Sequence, residues 1–257
     1  MSATGLRDTS ALVTGAASGI GRATCLLLGE AGARVAAVDV DGAGAENTAR
    51  AVEAAGGEGL AVEADVADGE ACRRAAHWAA DAFGATGILV NAAGVTRRGS
   101  VLETDPEDWD RVMTVNVRSA FLLGREVLPA MIRRGAGSIV NVASGWGLVG
   151  GARAAAYCAS KGALVQLTRA MAIDHGPAGV RINCVCPGDT DTPLLRGEAR
   201  ELGEDEAAFL HEAADRPLGR IGTPGEVARA ILFLAGDDAS FVTGACLTVD
   251  GGGLAGG

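Results

Sequence analysis

A single tyrosine and a single lysine stand four residues apart in AYCASKGA, residues 156–163. Every other strongly basic side chain of the chain is arginine, so Tyr157 and Lys161 are the two exceptions to its composition. On a helix, side chains at i and i+4 share one face and become neighbours. A free phenol, with a pKa of about 10, is a poor base near neutrality. An adjacent ammonium stabilises the phenolate and lowers that pKa. Such a tyrosine can take a proton from an alcohol or return one to a carbonyl. Lysine suits the second position because its compact ammonium carries three donors for several partners, whereas arginine is a planar fork.

A second pattern, suited to binding a dinucleotide, stands near the N-terminus. In ALVTGAASGIGRA, residues 11–23, Gly15, Gly19 and Gly21 flank Ser18 and Ile20 between an apolar run and a helical stretch. Glycines there allow a sharp turn and let a pyrophosphate approach the backbone at a helix N-terminus. In a chain with 39 glycines the motif alone is weak. Asp39 strengthens it. The residue ends the next apolar run, 18 positions beyond Gly21, where a carboxylate accepts from both ribose hydroxyls. The same charge repels a 2′-phosphate, and no Lys or Arg follows directly to offset it, so NAD is expected rather than NADP.

The elements that must position these residues are legible as alternating runs. SALVTG, ARVAAVDV, GEGLAVEADV, GILVNAAG, GSIVNVAS, VRINCVCPG and ACLTVDGG read as strands, mostly as continuous apolar runs suited to a sheet covered on both faces. Helical periods occupy residues 19–31, 43–55, 68–83, 106–134 and 154–175. Asp105, followed by Pro106, Glu107 and Asp108, marks one helix start, and Thr223 with Glu226 forms a capping box at another. The expected fold is α/β: a Rossmann-type, doubly wound, seven-stranded parallel sheet with helices on both faces. A single domain over residues 1–257 is expected, with no linker or repeat. The charged segment 189–216 follows a strand at the edge of the ligand crevice and is expected to act as a substrate lid.

Composition narrows the partners. A net charge of −10 and a pI near 4.8 argue against nucleic acid or an anionic membrane surface. No signal peptide or membrane span is expected, and a reducing cytoplasm is the expected compartment. The six cysteines show no CxxC spacing; Cys184 and Cys186 alternate along a strand as small buried hydrophobes, and no metal is expected. His77, His175 and His211 form no ligand pattern.

TGAASGIG (14–21), Asp39, ADV (64–66), NAAG (91–94), Asn116, Ser144, Tyr157-Cys-Ala-Ser-Lys161 and PGDTDT (187–192) follow one another in order. The chain resembles the short-chain dehydrogenases/reductases of about 250 residues over nearly its whole length. The resemblance implies a catalytic set of Asn116, Ser144, Tyr157 and Lys161, with Lys161 also reaching the cofactor ribose and Asn116 holding a water that links Lys161 to solvent. It implies that Asp65 and Val66 meet the adenine, that Asn91, Ala92 and Gly94 flank the cofactor, and that Pro187, Gly188, Thr190 and Thr192 surround the nicotinamide. Ala92 replaces the second asparagine of the usual NNAG, and Asp189 is an unusual residue after the Pro-Gly. Read from residues alone, Ser144 is a strand-end serine able to donate to a substrate oxygen or simply to close a turn. Asn116, read from residues alone, is an amide inside an otherwise apolar helix, whose plain alternative is a buried amide satisfied by backbone. Trp146 and Arg153 are candidate substrate contacts, and Arg196 and Arg216 are further candidates for a carboxylate. The implied activity is an NAD-dependent alcohol dehydrogenase or ketone reductase, with a homotetramer as the implied assembly. The alternatives are a 3-oxoacyl carrier-protein reductase using NADPH, and a dinucleotide-binding regulator without turnover.

Overall fold

Seven short aliphatic runs form one sheet: β1 (Ser10–Thr14), β2 (Arg34–Asp39), β3 (Glu58–Glu63), β4 (Ile88–Asn91), β5 (Gly137–Val142), β6 (Val180–Pro187) and β7 (Cys246–Val249). A computed structural model describes residues 6–255; residues 1–5 and 256–257 of the expected domain lie outside the described residues. Strand order is β3-β2-β1-β4-β5-β6-β7 and every pairing is parallel. The order reverses between β1 and β4, which opens a crevice at the carboxyl ends of those two strands. All seven strands and the doubly wound topology agree with the sequence reading.

Alternation along the strands sends one set of side chains to each face. Leu12, Leu89, Ile139 and Ile182 lie in register across four strands. They pack under α3 (Gly69–Phe83), α5 (Ser119–Arg134) and α6 (Ala155–His175), against residues such as Leu123, Met131 and Met171. On the other face Val13, Val90, Val140 and Val185 meet α1 (Gly19–Glu30) and α9 (Pro224–Ala235) through Leu28, Ile231 and Leu234. Leu89, fully buried at the sheet centre, gives a test of this packing. Leu89→Ala should cost about 2–5 kcal/mol of unfolding free energy in a urea titration, the usual cost of an unrelaxed core cavity.

Three local readings need refinement. The continuous helix expected over 106–134 is interrupted: α4 (Pro106–Met113) passes into a π-helical turn, Thr114–Arg118, before α5 begins. Asn116 sits in that turn, and π-bulges concentrate at functional sites. Asp105 occupies the N-cap of α4 without a side-chain cap bond, whereas the capping box at Thr223 and Glu226 forms as read. The segment 189–216 folds into two short helices, α7 (Pro193–Leu202) and α8 (Glu206–Ala213). Cys184 and Cys186 are fully buried, as expected.

Candidate active site

The crevice begins at the turn from β1 into α1. Gly15 and Gly19 adopt φ of +66° and +52°, conformations that side chains disfavour. Helix α1 has no acid in its first turn and no side-chain cap from Ser18. By contrast, Asp41 and Asp68 accept backbone bonds at the starts of α2 (Gly42–Ala54) and α3. The first-turn N–H groups of α1 therefore remain available, at the positive end of the dipole, to an anion. Thr14 Oγ1 accepts from the backbone N–H of Ala92 and of Ala93, each at 3.1 Å, and ties the end of β4 to this turn. Those bonds use backbone, so Ala92 in place of asparagine leaves them intact. Asn91 turns away into the core, donating to Asn141 Oδ1 at 2.8 Å.

Asp39 is oriented by the same turn. One carboxylate oxygen accepts from Ala17 N at 2.9 Å and the other from Asp41 N at 3.0 Å. Ser18, Ile20, Asp65, Val66 and Gly94 line the crevice with it. Across the opening come Pro187, Gly188, Thr190 and Thr192. Thr192 caps α7 by accepting from Leu195 N, and its Cγ2 lies 3.1 Å from where a Cβ on Gly19 would stand. The glycine turn, the acid and the two strand ends thus build one continuous wall shaped for a dinucleotide, and the chemistry of its donors fits that group.

The Tyr157–Lys161 pair sits deeper. Helix α6 carries Tyr157 and Lys161, 9% and 4% exposed, on its buried face. Lys161 Nζ lies 5.5 Å from the Tyr157 ring centre and donates to Val142 O at 2.8 Å. Gly94 lies beside both groups: a Cβ there would stand 3.4 Å from that nitrogen and 3.5 Å from Asn116 Oδ1, ordinary contact distances. Asn116 Oδ1 accepts from Val95 N at 2.8 Å, while Nδ2 donates to Val95 O and to Ser160 Oγ at 2.9 Å. Both atoms of the amide have protein partners, and they fix the β4 loop against α6. Ser144, at the end of β5, lines the crevice together with Tyr157, and its Oγ accepts from Trp146 N at 3.1 Å.

Electrostatics here differ from the expectation of a lowered phenol. Burial pushes the Tyr157 hydroxyl well above the ordinary phenol range, the nearby Glu198 carboxylate adds to the rise, and Ser144 partly offsets it. Burial also lowers Lys161 to about 8. The physical reason is desolvation, which disfavours both charged forms in the same dry pocket. A cation close to the hydroxyl would be needed to bring the phenol down.

From the glycine turn and Asp39 to Trp146 and Glu198 the crevice is one continuous cleft of about 530 Å³. Trp146 meets Tyr157 edge to face, with ring centres 6.2 Å apart, and lines the cleft. Arg153 does not line it: the side chain is half exposed and faces Glu103 at 3.6 Å. Arg196 is likewise outward, paired with Asp191 at 2.8 Å and Glu206 at 2.5 Å. Arg216 reaches the cleft rim but pairs there with Asp189, which accounts for the acid after the Pro-Gly. Three features escaped the sequence reading. Glu198 of α7 faces inward, Arg98 holds it at 2.6 Å, and Leu254 near the C-terminus closes over Gly145. In GEARELGEDE, Glu198 looks like any solvated acid of a charged helix, and only the packing of α7 reveals its direction. Among the described residues no cluster of three His, Cys, Asp or Glu side chains has metal-binding geometry.

Comparison with known proteins bears on the whole crevice. A family model described as enoyl-(acyl carrier protein) reductase matches residues 15–253. The chain is 42% identical to 2-(S)-hydroxypropyl-CoM dehydrogenase 3 of Xanthobacter autotrophicus, over 96% of this chain and 97% of that one. It is 44% identical to cis-4-hydroxycyclohexanecarboxylate dehydrogenase of Sinomonas cyclohexanicum, over 94% and 95% of the two chains. The crystal structure of levodione reductase superposes with a TM-score of 0.94 at 32% identity, covering 98% of this chain and 99% of that one.

Proposed function

The chain belongs to the short-chain dehydrogenase/reductase family of oxidoreductases, and we propose that it uses NAD to interconvert a small secondary alcohol and its ketone. One observation carries this reading. The Ser144–Tyr157–Lys161 cluster and the glycine turn with Asp39 open into the same cleft, so a proton-transferring group and a dinucleotide cradle face one another. Gly15, Ser18, Gly19, Ile20 and Gly21 would hold the pyrophosphate, Asp39 the adenosine ribose, Asp65 and Val66 the adenine, and Thr190 and Thr192 the nicotinamide end. When bound, the cofactor supplies the hydride acceptor or donor.

The chain's own residues handle the proton. Tyr157 Oη removes it from the alcohol during oxidation and returns it to the carbonyl oxygen during reduction. Ser144 Oγ donates to the same substrate oxygen and holds its developing charge. Lys161 contributes a positive charge on the buried side of the phenol and a donor for the cofactor ribose. Asn116 keeps Val95 and Ser160 in place beside Lys161, and a water next to it would connect that lysine to solvent. Helices α7 and α8 form the lid of 189–216, lowering solvent access to the reacting atoms. Exposed Trp109 and Phe121, on α4 and α5, favour the expected self-association into a homotetramer.

The test of the cofactor assignment is direct. Against a panel of secondary alcohols, NAD should support turnover at least tenfold better than NADP. Asp39→Ala should shrink that ratio at least tenfold by raising KM for NAD, because the ribose hydroxyls lose a charged acceptor. A wild type that favours NADP would overturn the role given to Asp39 and favour the carrier-protein reductase reading. Turnover with neither cofactor would favour a dinucleotide-binding regulator.

A further inference from the structure

The inner face of α7 places one carboxylate where a substrate would lie. Glu198 is 7% exposed and lines the cleft, close enough to Tyr157 to oppose ionisation of its phenol. Its Oε2 accepts from Arg98 Nη1 at 2.6 Å. Among the described residues nothing donates to Oε1, and that atom is not sealed from the cleft. A carboxylate oxygen that is open to the cleft and has no protein donor is free to accept from a ligand.

Arg98 makes this arrangement rigid. Its Nε donates to Arg153 O at 3.2 Å and its Nη2 to Ala152 O at 3.0 Å, both in the segment leading into α6. Its guanidinium lies 5.0 Å from the centre of the Trp146 ring, and its backbone N–H donates to Glu201 Oε2 at 2.9 Å. One side chain thereby joins α7, the Trp146 loop and the entry to α6. Arg98 itself stays outside the cleft lining, so the pair presents its anionic partner to the substrate and keeps its cation behind. The lining as a whole carries six carboxylates against three cations. Two of those three are engaged, Lys161 by Val142 O and Arg216 by Asp189.

We propose that Glu198, seated by Arg98, is a specificity-determining residue that accepts a hydrogen bond from a second donor group of the substrate, a hydroxyl or an ammonium, and rejects a carboxylate there. The proposal deepens the alcohol–ketone reading and rests on it for the orientation of the substrate. It sets this chain apart from the cis-4-hydroxycyclohexanecarboxylate dehydrogenase, whose named substrate carries an acid. The substrate class is then a diol, polyol or amino alcohol rather than a hydroxy acid.

The experiment compares 1,4-cyclohexanediol with cis-4-hydroxycyclohexanecarboxylate, two probes that share a ring and differ in the distal group. Each is assayed as a substrate with NAD and as a ligand of the enzyme–NADH complex through nicotinamide fluorescence. Wild-type enzyme should favour the diol at least tenfold in kcat/KM or in binding. Glu198→Gln keeps the size and a bond to Arg98 but removes the charge, and should cut the diol-to-carboxylate ratio at least tenfold. Glu198→Asp retains the charge on a shorter arm and should fall between them, which separates lost charge from lost packing. Equal preference for the two probes in wild type, or a ratio unmoved in Glu198→Gln, overturns the assignment. Diol-selective binding without turnover would leave the Glu198 assignment standing and count against the hydride-transfer reading.

Discussion

Tyr157→Phe should lower alcohol oxidation by about 10²–10⁴-fold, the span usually contributed by a positioned acid–base group. The substitution deletes one oxygen and preserves the ring that packs against Trp146. A melting temperature within a few degrees of wild type, together with the collapse in kcat, would therefore locate the defect in chemistry. The pH dependence gives an independent reading. Oxidation needs the phenolate, so the wild-type rate should climb with pH until the phenol is ionised. Burial and Glu198 push that ionisation upward, which places the rising limb on the alkaline side unless the bound cofactor's positive charge brings it down. In Tyr157→Phe that limb should vanish along with the rate. Equal turnover by both proteins would remove Tyr157 from the mechanism.

How far such a site can be read without coordinates depends on whether its chemistry is local in sequence. The Tyr157–Lys161 spacing is a property of one helix, and the glycine turn belongs to one strand–helix junction. The strands announce themselves because both faces of β1, β4, β5 and β6 are covered, which forces continuous apolar runs. The π-helical turn at Asn116 is different. Asn116 within it bonds Val95 and Ser160, 21 and 44 residues away, and periodicity within 106–134 carries no trace of them. Arg153 and Glu198 show the same limit from opposite sides. Arg153 lies four residues before Tyr157, yet a positive φ of 48° carries it outward to Glu103. Glu198 belongs to a helix that reads as solvated, yet Arg98, 100 residues earlier, seats it inside the cleft. Charge direction on a short helix is set by tertiary partners, and no propensity encodes it.

Gly21→Ala should damage the protein more than any other single methyl addition at the dinucleotide turn. An alanine Cβ there would fall 2.6 Å from the carbonyl carbon of Gly15, inside contact distance of its oxygen, and 3.0 Å from Thr14 O. Every one of those atoms is backbone, so no rotamer change can relieve the clash. Relief requires α1 to pull away from β1, which displaces the N–H groups proposed to hold the pyrophosphate. Overpacking of this kind costs about 1–3 kcal/mol or more, and the affinity for NADH should fall at least tenfold. Helix propensity alone predicts the reverse sign, since alanine is favoured over glycine by about 0.8–1.0 kcal/mol within a helix. Gly197→Ala supplies the contrast. It also lies inside a helix, α7, but its Cβ would approach only the far end of Arg200, at 3.8 Å. That variant should melt at or above the wild-type temperature, while Gly21→Ala melts below it and binds NADH weakly. Should Gly21→Ala prove as stable and as avid for NADH as wild type, the glycine turn would not be the seat of the pyrophosphate, because an approach close enough to use its N–H groups requires the strand–helix contact that this methyl would break.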